Sequence, residues 1–257
     1  MHYKEYQDFM RQTFNEWKEI NSCREAVKLN EKLTPKYFDE SNPHFFAGDF
    51  DAELVLVHLN PKRNKDQWGK ECSFKNYESY EHFYMKFGNV HYGCEVPIHK
   101  SPFDHKQIRF LKPLGVLPFT GDKYKDLEIV IDNKLQLELI PYGSPDFNFN
   151  KFSNEDLQPF IERLLTVIAA KQRKHIIFCG RVFDKILAPY IIEPSKEYEF
   201  KLAKKDGQET INSYSVINIK LKIGTTEFIA AIAPQFALQG CPSTEYGKKI
   251  CELYGKF

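Results

Sequence analysis

The sequence predicts an α/β fold built on a parallel sheet, and three observations carry that prediction. Residues 153–190 run as a capped amphipathic helix, a short apolar strand "HIIFCG" closed by Gly180, and a second helix, the order that builds parallel sheets. Three other apolar runs stop on small, proline-containing turns: "HLNPKR" (58–63), "ELIPYGSP" (138–145) and "IAPQFALQG" (232–240). Ligands of α/β sheets bind in the crevice beyond the carboxyl ends of the strands, so these turns mark the expected rim of a site. No linker or internal repeat divides the 257 residues, which are read as one domain.

Taken in order, residues 3–20 place Tyr3, Tyr6, Phe9, Met10, Phe14, Trp17 and Ile20 at three- and four-residue steps, the stripe of an amphipathic helix. A polar connection follows. "AELVLVHL" is the first strongly apolar strand, and Asn60-Pro61 ends it because proline cannot donate to a ladder. Residues 62–113 show little periodicity and many rings among Lys, His and Asn, and are read as an irregular, aromatic-rich insertion. "DLEIVIDNKLQLELIPY" alternates apolar and polar residues on either side of Asp132-Asn133-Lys134 and reads as a hairpin. Ser153 caps a helix over 154–172 with Asp156 in a capping-box variant, and 175–180 and 181–190 follow as strand and helix. Two strands flank Asp206-Gly207, "EFIAAIAP" is the last strand, and a helix over 244–254 closes the chain.

Composition sets limits on function. With 36 basic against 35 acidic residues the net charge is +1, so no global positive field marks a nucleic-acid binder and any such role rests on local patches. The aromatic content of 15%, with 22 Phe and 14 Tyr, is high and calls for an explanation beyond an ordinary core. No stretch reaches the roughly 18 to 20 apolar residues of a membrane span, and the N-terminus lacks a signal-peptide core, so a cytoplasmic protein with no membrane partner is expected. Six scattered cysteines form no CxxC pair, which predicts free thiols, and the His and Cys residues of 72–105 lack the paired spacing of a metal site.

The order of these segments resembles the uracil-DNA glycosylase superfamily. The resemblance implies a three-layer α/β/α sandwich with a central, mainly parallel four-stranded sheet, here with an added β-hairpin region. "HLNPKR" is similar to that family's Gly-x-Asn-Pro motif, which puts Asn60 at the catalytic, water-holding position. Phe74 falls where the family has a ring that stacks on the extruded base. "LELIPYGS" resembles the strand that carries a base-reading asparagine and puts Glu138 in its place; "IAPQFALQG" resembles the last motif, with Ala233 for the histidine or asparagine and Gln235 for the serine. His58 and Tyr142, on the same strand ends, complete the expected substrate-binding set with Phe74, Glu138 and Gln235.

Lys62, Arg63 and Arg181 are the expected phosphate contacts, and Phe236 or Leu238 the wedge that fills the vacated stack. An ionised Glu138 only accepts hydrogen bonds, which suits the N4 amine of a cytosine and repels the O4 of uracil. The resemblance therefore implies a DNA glycosylase that flips and excises a modified cytosine, as bacterial anti-phage members of the superfamily do with glucosylated hydroxymethylcytosine, with the 62–113 insertion as the sugar pocket. It implies DNA as partner, a monomer, and neither cofactor nor metal.

Overall fold

The computed structural model describes residues 3–41, 43–63, 65–67, 74–86, 102–203, 207–235 and 241–254. Helix α1 (Tyr3–Ile20) buries Tyr6, Met10, Phe14 and Trp17 on the expected stripe. The connection after it holds a second helix, α2 (Arg24–Glu31), which buries Ala26 and Leu29. Strands β1 (Phe46–Gly48) and β2 (Leu54–His58) follow.

The described part of the 62–113 segment is mainly helical, not irregular. Helix α3 (Tyr77–Met85) starts at an Asn76–Ser79 capping box and buries Tyr77, Tyr80 and Tyr84, rings at helical spacing; α4 (Pro102–Leu114) follows. The expected hairpin at 126–142 is also corrected. Asp122 caps a helix, α5 (Lys123–Asp132), through the N–H groups of Tyr124 and Lys125, and β3 (Lys134–Glu138) begins two residues later. Leu127, Ile129 and Ile131 alternate as a strand would, whereas Leu127, Val130 and Ile131 stand at helical steps, and the cap decides for the helix.

Helix α6 (Asn154–Ala169) has the Ser153–Asp156 capping box, and β4 (His175–Cys179) is the expected apolar strand. The helix expected over 181–190 shrinks to one turn, α7 (Phe183–Ile186), and a 3-10 turn at Ala188–Tyr190. Pro189, which has no N–H to donate, sits in that turn. Strands β5 (Lys196–Ala203), β6 (Glu209–Ile223) and β7 (Thr226–Ala233) and helix α8 (Ser243–Tyr254) complete the described chain.

All strands among the described residues belong to one seven-stranded sheet of order β1-β3-β2-β4-β7-β6-β5. Its centre, β3-β2-β4-β7, is parallel; β1 pairs antiparallel with β3 on one edge, and on the other β6 pairs antiparallel with β7 and β5 antiparallel with β6. The sheet is therefore wider than the four strands expected. β1 is too short to be read from sequence, and β5 and β6 extend the edge as hairpin arms.

Strand alternation sorts the core into two layers. Val55, Val57, Leu135, Leu137, Ile176 and Phe178 pack with α1, α2, α3 and α6; Leu54, Leu56, Ile177 and Cys179 pack with α4, α5 and α8. Gly247 permits the close approach of α8 to α4, because a Cβ there would lie 2.0 Å from the Phe110 carbonyl oxygen. Gly247→Ala is expected to push the helices apart and cost about 1–3 kcal/mol in urea unfolding; an unchanged midpoint contradicts the close packing. No helix among the described residues is long and apolar enough to cross a membrane.

Candidate functional site

The parallel strands end on one edge of the sheet, and the register brings their last residues side by side. His58 pairs with Glu138, and Cys179 with Ala233. The β2–β3 ladder continues past the strands, with Leu139 N–H donating to His58 O (2.8 Å) and Ile140 N–H to Leu59 O (2.9 Å). The two proline turns are then joined directly, Ser144 N–H donating to Pro61 O and Arg63 N–H to Ser144 O. Two of the three rim turns thus form one unit.

Asn60 is fixed within that unit. Its Nδ2 donates to Ser144 Oγ (2.7 Å), Pro61 O (3.1 Å) and, more weakly, Tyr142 O (3.4 Å). Ser144 Oγ in turn donates to Asp146 O. Among the described residues nothing donates to Asn60 Oδ1, so that oxygen is the side chain's remaining acceptor.

Arg63, expected at a phosphate, is instead a structural residue. Its Nη1 lies 2.8 Å from Asp39 Oδ2, and the Asp39 carboxylate also accepts from Ser41 N–H and Oγ. Asp39 N–H donates to Gly143 O, so the ion pair clamps both turns. The Arg63 stem crosses Gly143 so closely that a Cβ there would come within 2.8 Å of Arg63 Cβ.

Glu138 occupies a buried polar row. Lys134, Gln136 and Glu138 share one face of β3 and are 1%, 7% and 7% exposed. Lys134 Nζ donates to Gln107 Oε1 (2.5 Å) and Gln136 Oε1 (2.9 Å), and Gln136 Nε2 donates to Glu138 Oε1 (2.8 Å). Glu138 Oε2 is buried with no hydrogen-bond partner among the described residues. Burial pushes this carboxyl up to about 8, against the opposing effects of the Gln136 hydrogen bond and the Lys134 charge. At neutral pH it is mainly protonated, which corrects the expectation of an acceptor-only carboxylate.

His58 beside it is neutral, its pKa pushed down to about 3 by burial and by the Lys134 and His44 charges, and its ring meets Phe103 edge-on at 5.3 Å. Other expected site residues belong to the core. Phe74, expected to stack on a base, is buried in edge-on or tilted contact with Tyr80, Phe83 and Tyr84. Tyr142 is fully buried in the opposite layer, with its hydroxyl donating to Glu25. The high aromatic content is explained mainly by this packing.

Arg181 is exposed and pairs with Glu197 (2.8 Å) and Ser215 (2.9 Å), and the helix that follows it is a single turn. Lys62 is exposed at the rim and Gln235 is half-buried just after β7. Phe236 and Leu238 lie outside the described residues, as do Cys72, His91, Cys94 and His99. Cys23, Cys179, Cys241 and Cys251 are free thiols.

Sequence reasoning missed Lys134, Gln107, Asp39 and Ser144. The alternation in "KLQLE" was the available signal for the first, but a polar row on a strand ordinarily reads as a solvated face. No protein-family model matches the chain, and no curated protein matches it.

Proposed function

We propose that the chain is a DNA glycosylase that hydrolyses the N-glycosidic bond of a flipped base in the crevice beyond β2 and β3. The observation that carries this reading is Asn60, whose amide nitrogen is held by Ser144 while Oδ1 remains to accept a hydrogen bond from water. The parallel quartet with helices on both faces supports the superfamily resemblance.

Asn60 is no general base, so its part is to align the water. The transition state places positive charge on the sugar and negative charge on the departing base, and the protonated Glu138 carboxyl supplies a donor for the latter. Water oxygen bonds to C1′ as the bonding pair of the glycosidic bond leaves with the base. The Glu138 proton neutralises the base, and a proton released by the water restores the carboxyl. In this scheme Glu138 takes the part of the histidine that Ala233 does not supply.

A protonated carboxyl offers one donor and one acceptor, so it fits the N3/N4 edge of a cytosine and the N3/O4 edge of uracil alike. Base choice then rests on other contacts. Glucosylated hydroxymethylcytosine of phage DNA is the substrate we infer, with uracil as the runner-up.

Base release from duplexes containing each base decides the matter. The wild type is expected to release the glucosylated base, and Asn60→Ala to lose about 100-fold or more of the rate while retaining DNA binding. Release of uracil alone overturns the substrate; binding without release from either duplex makes the chain a binding module.

A further inference from the structure

We propose that Lys134 is the positioning residue of this site: acting through the Gln136 amide, it makes Glu138 a hydrogen-bond donor through Oε2. The inference deepens the glycosylase reading and rests on it for its catalytic meaning, but its physical content is independent of that reading.

The row of hydrogen bonds fixes the orientation of each side chain in turn. A lysine ammonium has donors only. Lys134 Nζ lies 2.9 Å from one end of the Gln136 amide, so that end must be the oxygen. The usual ambiguity in orienting an amide is thereby removed. Gln107 adds a second constraint: its Oε1 accepts from Lys134, and its Nε2 donates to the same Gln136 oxygen at 3.3 Å. Gln136 Nε2 must therefore point the other way, where it meets Glu138 Oε1 at 2.8 Å. An oxygen that receives an N–H donor is the acceptor of its carboxyl, so the proton lodges on Oε2. That atom is the one buried without a partner.

Without the lysine, a glutamine amide could turn over and offer its oxygen to Glu138, which would draw the proton from Oε2 to Oε1. The register gives the arrangement its purpose. Lys134 lies four residues from Glu138 on the same strand, deep in the sheet, while Glu138 lies opposite His58 at the carboxyl end. The lysine is 1% exposed and acts from within the protein.

Among the described residues, the titratable and charged groups around the carboxyl are Lys134 on its own strand, His58 on β2 and Cys179 at the end of β4. Helix α4 brings the neutral Gln107 amide and the Phe103 ring to the same face. His58 is neutral, and burial pushes the Cys179 thiol up, so the ammonium is the charge that acts on Glu138 through this row.

The test follows the Glu138 carboxyl carbon by 13C NMR, assigned with Glu138→Gln, in the wild type, Lys134→Met and Gln136→Leu. Both substitutions are expected to move the Glu138 midpoint upward, by about one unit or more, since each removes an interaction that favours the ionised form. In the wild type, the Gln136 side-chain NH2 signals should titrate with the same midpoint as Glu138, a measurement that needs no variant to fold. An unmoved midpoint in either folded variant, or Gln136 NH2 signals indifferent to the Glu138 titration, overturns the relay.

Activity gives a separate readout. If the chain is a glycosylase, Lys134→Met lowers kcat about tenfold or more with KM little changed and shifts the pH profile. Correct titrations without base release by the wild type would sink the glycosylase reading and leave the relay standing.

Discussion

Glu138→Gln makes the protein more stable at pH 8 to 9 and, on the proposed mechanism, inactive. The sign follows from the pKa pair. The carboxyl's ordinary value is 4.5, and burial raises it to about 8 in the folded state. Below 4.5 both states are protonated and the residue makes no pH-dependent contribution. Between 4.5 and 8 the unfolded chain is ionised while the folded one keeps its proton, so the wild type loses stability as pH rises, by up to about 3–5 kcal/mol in total. Above 8 the loss levels off.

Glutamine keeps the hydrogen bond from Gln136 Nε2 through its own oxygen and cannot ionise. The difference in unfolding free energy between Glu138→Gln and wild type is therefore expected to rise from pH 4.5 to 8 and then to plateau, as urea titrations at half-unit steps would show. A difference that stays constant across that range means the carboxyl is not buried as described. A stabilising substitution that removes activity is the mark of a residue kept for function at the expense of the fold.

Asp39→Ala is expected to destabilise the protein by about 2–4 kcal/mol, because it leaves the Arg63 guanidinium, 18% exposed, without its carboxylate. Ser41 loses the acceptor for its N–H and hydroxyl in the same change. The effect should extend to the site, since the pair clamps the turns that hold Asn60. Thermal and urea unfolding measure the first part; base release measures the second. Asp39→Ala/Arg63→Met should recover part of the stability, because it also removes the charge that Asp39 pairs. A double variant no more stable than Asp39→Ala would argue that the hydrogen bonds to Ser41 dominate.

What was legible in the sequence is what neighbouring residues decide among themselves. The stripe from Tyr6 to Trp17, the Ser153–Asp156 capping box and the apolar runs 54–58 and 175–179 all read correctly, since periodicity and capping act over a few residues. The turn at Asn60-Pro61 read correctly too. The 126–132 segment did not, because Leu127, Ile129 and Ile131 alternate while Leu127, Val130 and Ile131 follow helical steps, and the deciding cap at Asp122 lies outside both patterns.

Asn60 was legible as a candidate, whereas the partners that orient it were not. Ser144 lies 84 residues away, and Asp39 lies 24 from Arg63. Phe74 shows the converse: its sequence context allowed a stacking ring, and only the surrounding rings of α3 make it core.

The sequence by itself determined the α/β class, the strand ends and the placing of a polar Asn-Pro turn after β2. Only the tertiary structure decided that "KLQLE" is a central parallel strand covered on both faces, and hence that burial raises the Glu138 carboxyl to about 8 and that Lys134 is buried. The physical reason is that hydrogen-bond periodicity is a local property of the chain, while the ionisation of a side chain depends on whatever covers it, here helix α4 and strands from distant parts of the sequence.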